Sequence, residues 1–170
     1  MNNQKEPQPE KTFAQHINLE SFTINEFFSN QPQIQLTEIL NESYSRYDFE
    51  FLSGNTSSPI KKTGLVEVKT RQKNYYDFGD SGVLIELDKY NALFKECQSR
   101  KMKNINLQIQ PFYLVRYPDV EFLFDLSQVE VNKPWWISCP VSSSSNGYNG
   151  YIDKACFFLP SSGATITTKF

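Results

Sequence analysis

The chain has 170 residues and a mass of 19.7 kDa, the usual size of one domain. Its hydrophobic share of 39% and aromatic share of 15% exclude a wholly disordered chain. The 17 Lys and Arg residues stand against 19 Asp and Glu residues, and the net charge of −2 excludes a protein held to nucleic acid by bulk positive charge alone.

The rare residue types narrow the chemistry further. The cysteines are three in number and lack Cys-x-x-Cys spacing, so they suggest neither a zinc cage nor a secreted disulfide scaffold. His16 is the single histidine, which nearly excludes chemistry centred on histidine. The chain has no long apolar run and no signal-peptide order at its start, so we expect a cytoplasmic protein with no membrane span and no membrane partner.

The predicted elements begin after a polar N-terminal segment. Residues 1–30 are rich in Asn, Gln, Glu and Pro and predict a disordered or loosely packed segment, although the apolar residues of 17–28 suit either a short strand or a helical turn. Residues 31–170 then predict a single domain. It would consist of a core over about 33–117 and a β-rich extension over 118–170.

The core opens with one helix and one strand. Leu36, Leu40 and Tyr44 lie at i, i+4 and i+8, a spacing that predicts a helix over residues 33–45. Apolar and polar residues then alternate, which predicts a strand over residues 47–52.

Two more strands and a second helix follow. The β-branched run of residues 64–70 predicts a central strand, and residues 83–87 predict a brief one. Asp88 is a suitable N-cap for a helix over residues 89–100.

Strands dominate the remainder of the chain. A strand is predicted over residues 105–117, in which Pro111 indicates a bulge or a sheet edge. Further strands are predicted over residues 121–126, 155–159 and 164–169. The element order predicts an α/β or α+β fold, with a central mixed β-sheet flanked by helices and a β-rich C-terminal extension.

Three charged residues on the two central strands carry the candidate chemistry. Glu67 and Lys69 are two positions apart on one strand and leave the same face, and Asp48 would face Glu67 if the two strands are neighbours. Two carboxylates, the backbone carbonyl of Val68 and waters would make an all-oxygen site suited to Mg²⁺ or Mn²⁺. Lys69 would lie beside a metal-bound water and orient it or stabilise developing charge.

The segments that contain these residues resemble a known family. Tyr-Asp-Phe-Glu at residues 47–50 and Gly-Leu-Val-Glu-Val-Lys-Thr-Arg at residues 64–71 are similar to the motifs of the PD-(D/E)XK nuclease superfamily, whose fold is the restriction-endonuclease-like core. A helix before the Asp and a helix after the Glu-x-Lys strand occur in that family's order. Tyr47 replaces the Pro of the family pattern, and the chain from Trp135 onward matches no part of it.

The resemblance implies a function and assigns roles. It implies a metal-dependent nuclease that hydrolyses DNA phosphodiester bonds with Mg²⁺ or Mn²⁺, with Asp48 and Glu67 as metal ligands and Lys69 as the catalytic lysine. Some members, including Holliday junction resolvases, also carry a Glu on the first helix, which would match Glu38. The sequence leaves open whether the protein acts alone or as a homodimer.

A local basic run surrounds the Glu-x-Lys motif. Its cations would contact DNA phosphates, or they would serve only as solubilising charge, and the sequence favours neither. The candidate nucleic-acid-binding residues are Lys61, Lys62, Arg71 and Lys73.

Less specific interpretations remain open for each of these residues. Glu67 and Lys69 would also suit the solvent-facing side of an edge strand. Glu38 and Glu42, one helical turn apart, would suit a solvated helix face, and Glu50 shares a face with Asp48 and could replace it as a ligand. The protein could also be a non-catalytic phage or bacterial assembly or DNA-binding protein on the same fold, or an unrelated β-rich binding module.

Overall fold

A computed structural model of the chain describes residues 13–31, 33–40, 47–53, 62–77, 82–104, 108–140 and 150–170. Two helices and nine strands lie in these residues. In chain order they are α1 (Phe13–Ser29), β1 (Ile34–Ile39), β2 (Phe49–Ser53), β3 (Lys62–Thr70), β4 (Val83–Glu86), α2 (Leu87–Lys103), β5 (Gln108–Arg116), β6 (Val120–Asp125), β7 (Trp135–Pro140), β8 (Tyr151–Leu159) and β9 (Ile166–Lys169).

The strands form two sheets. The larger sheet has the order β1-β2-β3-β5-β6-β9, in which β3 and β5 run parallel and the other neighbours run antiparallel. A parallel pair needs a crossover, and α2 lies on the connection from β3 to β5. The smaller sheet is antiparallel, with the order β4-β8-β7. The fold is therefore α+β with a mixed central sheet, as the sequence predicts.

The central strand β3 buries both of its faces. On one face Val66 and Val68 join a core cluster that includes Ile24 and Phe27 of α1. On the other face Leu65 belongs to a cluster that includes residues of α2, β4 and β8. Because successive side chains on a strand point to opposite faces, Glu67 and Lys69 follow Leu65 toward α2 and the smaller sheet.

Gly64 allows β2 to pack closely against β3. A Cβ atom built on Gly64 would lie 2.3 Å from two carbon atoms of the Phe51 ring, far inside any carbon–carbon contact. Phe51 is buried and contacts Phe112 with a ring-centroid separation of 5.0 Å. A side chain at position 64 would therefore push this aromatic packing apart.

The helix predicted over residues 33–45 is wrong where the structure describes it, because Ile34–Ile39 is the strand β1. The apolar residues Ile34 and Leu36 alternate with exposed neighbours and pack against the cluster under α1. Tyr44, which extended the helical spacing, lies outside the described residues. Pairing with β2 supplies the backbone partners of this segment and overrides a short helical pattern that the same residues also satisfy.

The loosely packed segment predicted through residue 30 is instead a helix over Phe13–Ser29, and residues 1–12 lie outside the described part. Ile24 and Phe27 are only 1% and 3% exposed. With the half-buried Phe28 they form an i, i+3, i+4 stripe, which is the spacing that lets one face of a helix cover a sheet.

Two smaller predictions, the N-cap of α2 and the position of Pro111, are also wrong. The N-cap of α2 is Glu86, so Asp88 lies in the first turn, where its negative charge suits the helix dipole. Pro111 is neither at an edge nor at a bulge, because it pairs with Leu65 in the interior strand β5. The Pro111 carbonyl accepts a hydrogen bond from the Leu126 N–H, so the backbone of Pro111 is directed toward β6. The last β5–β6 pair is Phe112 with Asp125, and Pro111 lies beyond it. The N–H that proline lacks therefore breaks no ladder bond.

A charged cluster lies between α1 and the β5–β6 pair. Arg116 contacts Glu26 of α1 at 2.6 Å and Glu121 of β6 at 3.7 Å, measured between guanidinium nitrogen and carboxylate oxygen. Thr168 of β9 is paired with Glu121 in register. Burial raises the pKa of Glu121 to about 7, the negative charge of Glu26 adds to this rise, and Arg116 opposes it.

We therefore expect Glu121→Gln to stabilise the fold in a pH-dependent manner. A carboxyl group whose pKa is raised from 4.5 to about 7 stabilises the folded state below pH 4.5, and this contribution is lost as the pH rises through 7. The variant should gain about 1 kcal/mol over wild type at pH 8 and almost nothing at pH 4.5, as measured by urea unfolding. An equal gain at both pH values would contradict the raised pKa.

Candidate active site

Asp48 lies immediately before β2 and beside the end of β3. The antiparallel register pairs Phe49 with Val66, and the Asp48 N–H donates to the Val66 carbonyl at 2.8 Å. One step further along β3, the Val68 N–H donates to Oδ2 of Asp48 at 2.5 Å. The two strands are neighbours, as the sequence expectation required, and Asp48 lies at the end of β3 that carries Glu67.

Glu67 is a buried carboxylate that is held by a lysine. Its side chain is 8% exposed, and Lys89, in the first turn of α2, reaches it with the ammonium nitrogen 2.9 Å from Oε1 and 3.1 Å from Oε2. An isolated buried charge would be very costly, and this ion pair offsets part of the cost of ionising Glu67 on an inward face. An exposed edge strand, one of the open interpretations of Glu67, does not describe this position, because β3 lies between β2 and β5.

The two carboxylates share a strongly perturbed environment. Burial raises the pKa of Glu67 to about 7, the charge of Asp48 adds to this rise, and Lys89 and Lys69 oppose it. Burial also raises the pKa of Asp48, against the Val68 hydrogen bond and the charges of the same two lysines. The two carboxylates therefore lie in a poorly solvated place where their charged forms need nearby cations, and Lys89 and Lys69 supply that charge in part.

A third carboxylate, Glu20 of α1, belongs to this neighbourhood and was missed by the sequence analysis. Burial raises its pKa to about 7, the charge of Asp48 adds to the rise, and Lys69 and Lys89 lower it. Glu20 lies four positions before Ile24 and therefore on the stripe that α1 turns toward the sheet. An acidic residue within an apolar helical stripe was the signal that could have revealed it.

Glu38, the expected first-helix carboxylate, lies on a strand and not on a helix. It is exposed on β1 and is paired in register with Glu50. Glu50, the alternative ligand to Asp48, is ion-paired with Arg100 at 2.6 Å, and Arg100 also donates a hydrogen bond to the hydroxyl of Tyr47. Arg100, Glu50 and Tyr47 form a separate cluster, the Arg100 cluster.

The basic run does not form a single surface. Lys62 begins β3 at the end opposite Lys69, roughly 23 Å away for an extended strand of this length. Arg71 directly follows β3 and its guanidinium lies 3.4 Å from the Leu84 carbonyl, and Lys73 is exposed nearby in the chain. Lys61 lies outside the described residues. Of the candidate phosphate contacts, Arg71 lies beside β4 near the site, and Lys73 is two residues further along the chain.

A narrow cleft of about 30 Å³ opens between the end of β3, β4 and the start of α2. This volume suits a water molecule or an ion and is too small for a nucleotide, so an extended substrate would have to lie across its mouth. The lining residues are Glu67, Lys69, Arg71, Leu84, Ile85, Glu86, Lys89 and Tyr113.

The donor chemistry fits a hard divalent cation. In the described part of the chain no group of three or more His, Cys, Asp or Glu side chains has the arrangement of a finished metal site. Asp48 and Glu67 nevertheless offer carboxylate oxygens, half-buried in Asp48 and buried in Glu67. Val68, whose N–H donates to Asp48, would offer its backbone carbonyl as a third oxygen. Such an all-oxygen set suits Mg²⁺ or Mn²⁺.

Comparisons with known proteins add no assignment. No protein-family model, no curated protein and no solved structure matches the chain. In the described residues, neither helix combines the length and the apolar character needed to cross a bilayer. The geometry of the site is therefore what indicates a function.

The Arg100 cluster should contribute stability without taking part in metal binding. We expect Arg100→Met to cost about 1–2 kcal/mol of unfolding free energy, because it leaves the partly buried Glu50 without its cation, and to leave Mn²⁺ affinity unchanged. Urea unfolding and Mn²⁺ titration measure the two effects. Lys101→Met, at an exposed neighbouring position, is the matched control and should change stability by less than about 0.5 kcal/mol. Equal losses in both variants would contradict a specific role for Arg100.

Proposed function

We propose that this protein is a metal-dependent nuclease that hydrolyses DNA phosphodiester bonds on a restriction-endonuclease-like core. One observation carries the proposal: Asp48 is hydrogen-bonded to the strand that carries Glu67 and Lys69, and it perturbs the buried Glu67 carboxylate electrostatically. Two carboxylates and a lysine in this relation are the set that the Asp and Glu-x-Lys motifs imply.

The order of the elements supports the same proposal. α1 comes first, β2 follows Asp48, β3 carries Glu67 and Lys69, and α2 follows β3. This is the order that the resemblance to the PD-(D/E)XK superfamily implies. The first helix is α1, so its carboxylate is Glu20 rather than Glu38.

Asp48, Glu67 and the Val68 carbonyl would hold Mg²⁺ or Mn²⁺, with Glu20 as a further carboxylate for the ion or its waters. A bound divalent ion would neutralise the scissile phosphate and lower the pKa of a coordinated water. The Lys69 ammonium has three donors and no acceptor, so it holds the attacking water by donating to its oxygen. One neighbouring carboxylate would take the single proton that the water loses as its oxygen bonds to phosphorus. The P–O bond to the leaving oxygen would break and that oxygen would take up a proton from solvent, while Lys69 would stabilise the charge that develops on the phosphate.

DNA would approach the mouth of the cleft rather than enter it. Arg71 lines the cleft and Lys73 follows it by two residues in the chain, so both would be available to contact phosphates near the scissile bond. Because the net charge is −2, such contacts would act locally and not through the field of the whole protein.

Metal binding should stabilise the wild-type protein and fail in Asp48→Asn. A ligand that binds only the folded state raises its stability, by about 2.7 kcal/mol at a hundredfold excess over Kd. Asn retains an acceptor for the Val68 N–H, so the variant should fold but show no thermal shift with Mg²⁺ or Mn²⁺. Glu38→Gln removes an exposed carboxylate outside the site and should keep the full shift. A full shift in Asp48→Asn would overturn the metal assignment.

Cleavage should depend on Lys69 but not on a lysine elsewhere on the same strand. We expect Lys69→Ala to nick supercoiled plasmid at least about a hundredfold more slowly than wild type in Mg²⁺, because it loses the donor nearest the developing charge. The Mn²⁺ thermal shift should persist in this variant. Lys62→Ala, at the opposite end of β3, should cleave like wild type. Equal rates for both variants would count against the proposed mechanism.

A second candidate function is a non-catalytic phage or bacterial assembly protein on the same fold. It is favoured by the aromatic surface of β7 and β8, where Trp135, Trp136 and Tyr151 are 65%, 75% and 75% exposed. Exposed aromatic groups at this density are typical of protein interfaces. The absence of cleavage over a broad panel of substrates and metals, together with the absence of an Asp48-dependent thermal shift, would favour this function.

A further inference from the structure

The ammonium group of Lys89 lies where it competes with a metal ion for Glu67. It contacts both carboxylate oxygens, at 2.9 and 3.1 Å, so neither oxygen of Glu67 is without a cation. The Lys89 side chain is 44% exposed, whereas that of Glu67 is 8% exposed. The lysine therefore reaches the buried carboxylate from the mouth of the cleft and retains a route back to solvent.

A divalent ion and this ammonium group cannot both sit closely on Glu67 without a large repulsion. Mg²⁺ binds carboxylate oxygens at about 2.0–2.1 Å. An ammonium group about 3 Å from the same oxygens would then lie within a few ångströms of the ion, in a poorly solvated place where like charges repel strongly. Metal binding must therefore weaken or displace the Lys89–Glu67 pair.

The charges of the site are close to balanced before a metal binds. The carboxylates of Glu20, Asp48 and Glu67 each interact electrostatically with the ammonium groups of Lys69 and Lys89, and Lys89 contacts Glu67 directly. Adding a divalent ion to these three carboxylates and two ammonium groups would give the site an excess of positive charge. An incoming phosphate would remove that excess.

We propose that Lys89 is a built-in counter-ion of Glu67, which the catalytic metal displaces and which then becomes a phosphate contact for the DNA. This inference rests on the proposed nuclease function and extends it to the regulation of the same site. The flexible stem of lysine lets the released ammonium swing to the mouth of the cleft, beside Lys69 and Arg71. Metal ion and phosphate would then favour each other's binding.

Variants of Lys89 test the competition directly. We expect Lys89→Gln to bind Mn²⁺ roughly tenfold more tightly than wild type, as measured by electron paramagnetic resonance titration, because Glu67 no longer has to give up an internal cation. The metal-free form of the same variant should melt at a lower temperature than wild type, because Glu67 is left buried without a partner. Lys89→Arg keeps the charge and should bind Mn²⁺ as wild type does.

Lys154→Gln is the matched control for the loss of a positive charge near the cleft. Lys154 is ion-paired with the cleft residue Glu86 at 3.0 Å, and it makes no contact with Glu67. It should tighten Mn²⁺ binding much less than Lys89→Gln does. Equal tightening in the two variants would show a general charge effect and would overturn the inference. Lower Tm with unchanged Mn²⁺ affinity in Lys89→Gln would also overturn it, because Lys89 would then be only a structural partner.

A second measurement uses the wild-type protein and does not depend on how the variants fold. Amine acylation followed by mass spectrometry should show Lys89 reacting several-fold faster when Mg²⁺ is present, while the reaction of Lys154 stays unchanged. No acceleration at Lys89 would overturn its release. If Asp48→Asn abolishes Mn²⁺ binding while Lys89→Gln leaves the affinity unchanged, the nuclease proposal stands and this inference fails. If no variant and no wild-type sample binds Mn²⁺, both fail.

Discussion

The site depends on the register between the beginning of β2 and the end of β3. Pairing Phe49 with Val66 brings Asp48 next to the Val68 N–H, and the alternation of β3 sends Glu67 and Lys69 to the face under α2. A slip of one residue would move both charged side chains into the apolar cluster under α1. The packing of Phe51 beside Gly64 fixes this register, because no other residue leaves room for the ring.

Burial and charge then act together on the residues so placed. The same core that holds the sheet removes water from Glu67, and the protein compensates with Lys89 from the neighbouring helix. The compensation is incomplete, since burial still raises the pKa of Glu67 to about 7. A carboxylate held in such a state is poised to exchange a proton or an ammonium group for a metal ion, which is why strongly perturbed acids concentrate at functional sites.

Local patterns identified the central and C-terminal strands and failed on the N-terminal side, at α1 and β1. Asp48, Glu67 and Lys69 could be singled out because a period of two on a β-branched run assigns faces without any knowledge of neighbours. Glu38 was misplaced because six residues of an edge strand satisfy a helical spacing as well, and only pairing with β2 decides between the two. Glu20 was missed because the polar composition of its segment hid the apolar stripe of α1. That helix is stable only when the stripe packs against the sheet.

The sequence pattern was sufficient to predict an α+β fold, a mixed sheet and the strand that carries Glu67 and Lys69. Alternation and β-branching are properties of neighbouring residues, so they can be read without the tertiary structure. Tertiary structure alone brought Glu20 from α1 and Lys89 from α2 to that strand, and it separated Lys62 from Lys69 by the length of β3. Contacts between residues far apart in the chain follow from how the sheet pairs and which helix face it buries, and no local spacing encodes them.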